Sequence, residues 1–103
     1  MWEAEIRRQA AQQYHGAPLD CALSVKTLFV LTRPKTCKRE LPTVKPDVDN
    51  FNKAVFDALN GLVWRDDALI VRHDCEKVYG APTRVEVTVW YAAVDDVKHL
   101  EVE

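Results

Sequence analysis

The sequence predicts an α/β chain of the α+β type: a small mixed or antiparallel sheet packed with two main helices. Three observations lead there. Trp2, Ile6, Ala10 and Tyr14 recur every four residues, the spacing of one helix face. Phe51, Val55, Ala58, Leu59 and Leu62 form a second helical stripe, of the kind that buries one side of an amphipathic helix. Stretches at about 19–31, 70–79 and 84–91 alternate with period two, as half-buried strands do.

Taken in order, the first helix runs over 2–14 and stops before Gly16, with Glu3 and Glu5 near its start and Arg7 and Arg8 further along, which suits the helix dipole. A strand of about ten residues starts near Leu19. Leu19, Cys21, Leu23, Val25, Thr27, Phe29 and Leu31 share one face, and the other face also turns apolar toward the end, the mark of a strand buried on both sides. Pro34, Pro42 and Pro46 frame a loop that holds RPKTCKR. The second helix spans about Asn50 to Asn60, and Asn60-Gly61 stops it. A strand at Ile70 to Tyr79 precedes a turn at Gly80 and Pro82, and Arg84 to Tyr91 follows as another strand. These last two are expected to pair antiparallel, and the tail from Asp95 to fray. Residues 1–103 are expected to form one domain.

Composition narrows the function. With 48% hydrophobic and 29% charged residues, the chain has the balance of a folded globular protein. No apolar run approaches the roughly 20 residues that span a bilayer. The opening MWEAEIRRQA carries charge where a signal peptide needs apolar residues. Cys21, Cys37 and Cys75 cannot all pair within one chain and form no C-x-x-C; reduced thiols in a cytoplasmic setting are expected. The net charge of −2 hides a division. Arg33, Lys35, Lys38 and Arg39 cluster without an acid among them, while acids gather in 47–67 and in the tail at Asp95, Asp96, Glu101 and Glu103. No glycine-rich phosphate loop or dinucleotide fingerprint occurs, so a nucleotide cofactor is not expected.

The stretch PDVDNFNKAVFDALNGLVWRDD places two aspartates before the second helix and two after it. Asp49 can act as N-cap with Val48 as a hydrophobic staple, and Lys53 can pair with Asp49 or Asp57 on the helix surface. A cap needs one acid, however, and there are two at each end. Asp47 and Asp49, two apart in an extended segment, share a face. A helix of three turns spans only about 16 Å, and the Leu62-Val63-Trp64 run has reason to fold back against it. Asp66-Asp67 can thereby approach Asp47-Asp49. Gathered carboxylates repel unless a cation lies among them, and hard divalent cations bind through carboxylate oxygen. A calcium EF-hand fails, because Phe51 stands where an oxygen ligand belongs and Asn52 where glycine does. Zinc fails as well: of the histidines and cysteines only His73-x-Cys75 is closely spaced, which two-ligand pair makes no structural site.

Read together, Lys45-Pro46-Asp47-Val48-Asp49-Asn50, Lys53, Asp57-Ala58-Leu59-Asn60-Gly61, Asp66-Asp67 and Lys77-Val78-Tyr79-Gly80 resemble the RusA family of Holliday-junction resolvases. The likeness covers most of 19–91. It implies a Mg²⁺-dependent homodimer, with Mn²⁺ as a substitute ion, that binds branched DNA and cuts four-way junctions symmetrically. It implies Asp47, Asp49 and one of Asp66 and Asp67 as metal ligands, Asp67 being preferred, and Lys53 as catalytic lysine. Arg33, Lys35, Lys38, Arg39, Lys45 and Lys77 are the expected DNA contacts. Against the family pattern, a further strand and a basic, proline-containing segment ahead of the first helix are expected to be missing, and RPKTCKR is then expected to supply phosphate contacts. A junction-binding protein without cleavage, and a small interaction domain whose acids are caps, are the alternatives.

Overall fold

The computed structural model describes residues 2–43, 47–92 and 97–103. Lys45, an expected DNA contact, Pro46 and the tail acids Asp95 and Asp96 lie outside them. The order of elements is α1 (Trp2–Gln13), β1 (Leu23–Leu31), α2 (Val48–Leu59), a 3-10 turn (Asp67–Leu69), β2 (Ile70–Tyr79), β3 (Arg84–Tyr91) and β4 (Val97–Val102). The sheet is mixed, in the order β2-β1-β3-β4, which confirms the α+β class. β1 and β2 are parallel and connect through α2, whereas β3 runs antiparallel to both β1 and β4.

Both helices lie on one face. Leu23, Val25, Thr27 and Phe29 of β1 and Val85, Val87 and Val89 of β3 bury against Ile6 and Ala10 of α1 and Phe51, Val55, Ala58 and Leu59 of α2. Phe29 and Phe51 stack 4.6 Å apart at 12°, and Trp2 leans on both rings at 5.5 and 5.7 Å. One aromatic cluster thus ties α1, α2 and β1 together. Arg7 of α1 donates to the carbonyls of Ala58 and Asn60 at 2.9 and 3.0 Å, satisfying acceptors that the end of α2 leaves over. Gly61 follows at φ +80°, a left-handed conformation that glycine adopts without steric cost.

Three expectations are corrected. β2 and β3 do not pair with one another: β1 lies between them. β1 is the strand with a hydrogen-bonded partner along each edge, β2 on one and β3 on the other. The connection 80–83 instead crosses the end of β1, with Gly80 N–H bonded to Leu31 O at 2.9 Å. Only glycine allows that approach, since a Cβ at 80 would stand 2.8 Å from Val30 Cγ1. The strand expected from Leu19 begins at Leu23. Leu19 pairs separately, taking Val63 O at 2.8 Å and offering its own carbonyl to Arg65 N at 2.9 Å. The tail is also ordered from Val97, as β4. Gln9 and Gln13 of α1 clasp its outer edge, exchanging bonds with both N–H and C=O of Glu103 and of Glu101. Two side-chain amides there do what another strand would.

Candidate active site

α2 begins two residues earlier than expected, at Val48, so that Asp47 and not Asp49 takes the N-cap position. Asp47 makes no side-chain capping bond, so capping does not consume its carboxylate. Asp49 sits in the first helical turn, and Lys53 lies one turn on, exposed.

The helix lies across the inner side of β2. The parallel register pairs Val25, Thr27, Phe29 and Leu31 with His73, Cys75, Lys77 and Tyr79, so these four β2 residues share the helix-facing side. Phe56 meets His73 edge-on at 4.9 Å. Further toward the start of α2, the charge of Asp49 is felt at Cys75. The helix therefore descends along β2 in the opposite direction to the strand. At its lower end Trp64, fully buried, meets Phe56 edge-on at 5.5 Å. Trp64 Nε1–H donates to Asp67 Oδ1 at 2.6 Å. The seam between α2 and β2 accordingly holds Asp49, Cys75, His73, Phe56, Trp64 and Asp67 in succession.

The two acids after the helix have different surroundings. Asp66 Oδ1 accepts from Ala68 N at 2.9 Å and caps the 3-10 turn, fully on the surface. Asp67 is half-buried and has one oxygen fixed by a buried indole, the kind of outer hydrogen bond that orients a metal ligand. His73 Nε2 lies 3.3 Å from Thr27 Oγ1, the buried polar side chain of the core. Burial holds the His73 imidazole below its ordinary pKa, against a smaller upward pull from Asp74. Burial also pushes the Cys75 thiol up; Thr27 opposes this and the acids Asp74, Asp49 and Glu76 add to it.

The expected DNA contacts divide in the same way. Arg33 lies 4.5 Å over the Tyr79 ring and donates to the carbonyls of Arg39 and Glu40. Arg39 donates to Thr43 Oγ1, and Cys37 Sγ lies 3.3 Å from Tyr79 Oη. Both arginines thus shape the loop as well as charging it. Lys35 and Lys38 project into solvent. Lys77 stands on the helix side of β2, half-buried. The basic loop and the D-x-D segment consequently flank the same end of β2.

Among the described residues, one trio of metal-type donors comes within 4.8 Å: Glu86, His99 and Glu101. The carboxylates of Asp47, Asp49 and Asp67 are not gathered so tightly. The trio lies on the opposite face of the sheet, where Glu86 and Glu101 are cross-strand partners. Arg84 pairs with Glu86 at 2.8 Å and Thr88 holds His99 Nδ1 at 2.8 Å, so these charges are already largely answered within the sheet. As donors, Asp47, Asp49 and Asp67 offer only carboxylate oxygen, which fits a hard divalent cation.

Trp64 and Tyr79 were not singled out from sequence as parts of the site. The i,i+3 spacing of Trp64 and Asp67 is the signal that could have found the first. Tyr79 stands in the Lys77-Val78-Tyr79-Gly80 element, but its contact with the basic loop had no local signal, because its partners Arg33 and Cys37 are more than 40 positions away.

The described residues thus carry acids at the head of α2, a further acid held by a buried indole, a lysine one turn into the helix and a basic loop. A family model described as Endodeoxyribonuclease RusA matches residues 1–90, and the chain belongs to that family. Over 48 residues it is 50% identical to the Uncharacterized protein YqaN of Bacillus subtilis (strain 168), a match that covers 47% of this chain and 34% of that protein. The chain thus spans about a third of the length of the curated relative it matches. No solved structure matches it. No helix among the described residues is long and apolar enough to cross a membrane.

Proposed function

We propose that this chain is a divalent-metal-dependent endonuclease that resolves four-way DNA junctions by paired phosphodiester hydrolysis, in recombination or repair. Mg²⁺ is the proposed ion, with Mn²⁺ able to replace it. The observation that supports this best is the family match over residues 1–90, beside which Asp67 is held by the indole of Trp64.

Asp47, Asp49 and Asp67 would hold the ion, and Asp66, occupied as a cap, would not. A divalent ion at such a site offsets charge on the scissile phosphate and makes a bound water more acidic. Lys53, one turn from Asp49, adds positive charge where the transition state gathers negative charge. Lys35, Lys38 and Lys77, with Lys45, would meet the phosphate backbone and fix the DNA without reading its sequence. A four-way junction has twofold symmetry, so two matched cuts call for a C2 homodimer with two such sites. The proposed unit is a single domain over 1–103 working in the cytoplasm.

The test uses a labelled synthetic four-way junction and a linear duplex, in Mg²⁺ or EDTA, with Asp49→Asn in parallel. Paired nicks in the junction alone, lost in EDTA and in the variant, are expected. A folded protein that shifts the junction on a gel but never cuts it would leave binding as the function and remove the catalytic assignment.

A further inference from the structure

The sheet face turned away from the helices has a hollow of about 350 Å³, lined by Ser24, Lys26, Arg72, Asp74 and Trp90 and by the backbone at Val25 and His73. Its origin lies in the register. Ser24 of β1 is flanked by Trp90 on β3 and Arg72 on β2, and Lys26 by Asp74. A serine among four larger side chains leaves a floor with walls around it. The walls are anchored: Arg72 Nη2 donates to Ala92 O at 3.0 Å, and Lys26 is drawn to Glu76 at 3.5 Å.

The chemistry of the lining selects a ligand class. One wall is an indole and another a guanidinium, the two surfaces on which planar heterocycles stack. Between them stand a hydroxyl, a carboxylate and an ammonium, which together can accept from and donate to the polar edge of a ring. A simple anion would meet Asp74, and a purely apolar ligand would leave the polar groups unanswered. The volume lies in the range of small-ligand pockets.

We propose that this hollow takes one unpaired nucleobase. That the base belongs to a DNA strand rests on the nuclease reading above; the ring chemistry does not. The route is short. β2 is an edge strand, with Val71 60% exposed and no backbone partner on its outer side among the described residues. Its inner side adjoins the Asp49–Asp67 seam and its outer side carries Arg72 and Asp74. A single strand leaving a branch point can pass over this edge from one to the other.

The experiment follows the three indole N–H resonances of the full chain, Trp2, Trp64 and Trp90, assigned with Trp90→Phe. Titrations in EDTA use a mixed-sequence single-stranded hexanucleotide, the matching duplex and the four deoxynucleoside monophosphates. Saturable movement of the Trp90 signal with the hexanucleotide, but not with the duplex, is expected. Trp90→Ala should weaken that binding roughly 5- to 150-fold, the range for loss of one base stack. Ser24→Leu, which fills the floor while leaving the walls in place, should do the same, and Trp90→Phe should lose least. Circular dichroism checks that each variant is folded. Hexanucleotide binding that leaves Trp90 unmoved, or that Ser24→Leu does not weaken, overturns the proposal. Movement with monophosphates alone overturns the DNA source and leaves a free-nucleotide site. Absence of junction cleavage would remove the nuclease reading without touching this result, because the titration needs no catalysis.

Discussion

If the Trp64 indole holds Asp67 in place, deleting its N–H must cost stability in a way that depends on Asp67 being there. The bond is 2.6 Å long, from a donor fully buried to a carboxylate that is half-buried. Hydrogen bonds to charged groups are worth roughly 1.5–3 kcal/mol, and solvent at Asp67 places this one near the lower end. Trp64→Phe also leaves a void against Phe56, which adds about 1 kcal/mol or more, so the single change should cost about 3 kcal/mol. The bond is isolated by a cycle of Trp64→Phe, Asp67→Ala and the double variant, read by urea denaturation. The void is common to both Trp64 variants and cancels, leaving a coupling of about 1.5–2 kcal/mol. A coupling under about 0.5 kcal/mol would show that the indole does not hold the carboxylate, and the orienting role would fall with it. If the coupling stands, Trp64→Phe should also raise the Mg²⁺ needed for junction cleavage by about 10- to 100-fold, as loss of an outer hydrogen bond to a metal ligand does.

Two further outcomes follow from contacts elsewhere. Replacing Gln9 and Gln13 together by alanine should uncover the outer edge of β4 at a cost of about 1–3 kcal/mol. Amide hydrogen exchange should then quicken most at Glu101 and Glu103; unchanged protection at those two amides would refute the clasp. The Cys37 thiol is pulled below its ordinary range, first by the Tyr79 hydroxyl, then by the backbone at Arg39 and the charges of Arg33 and Arg39. Its thiolate therefore appears at lower pH than usual, and the midpoint of its iodoacetamide reaction should rise in Tyr79→Phe. Cys75, pushed up by burial, should react later than Cys37 as pH increases. A Cys37 midpoint that Tyr79→Phe leaves unchanged would count against the loop resting on Tyr79.

The sequence by itself determined the kinds of element and singled out the acids around α2 as candidates. Period-four and period-two spacing marked α1, α2 and the strands at 70–79 and 84–91, because burying one face imposes its own repeat on the residues. The paired aspartates around α2 stood out because one cap needs one acid. Tertiary structure alone decided which strands are neighbours. Local spacing carries no information on partners, so β2 and β3 looked like a hairpin until β1 came between them, and β4 was unrecognisable without α1 to clasp its edge. The same holds within the site. Asp66 and Asp67 are identical in sequence terms, and only the fold turns one onto its own backbone as a cap and the other toward a buried indole.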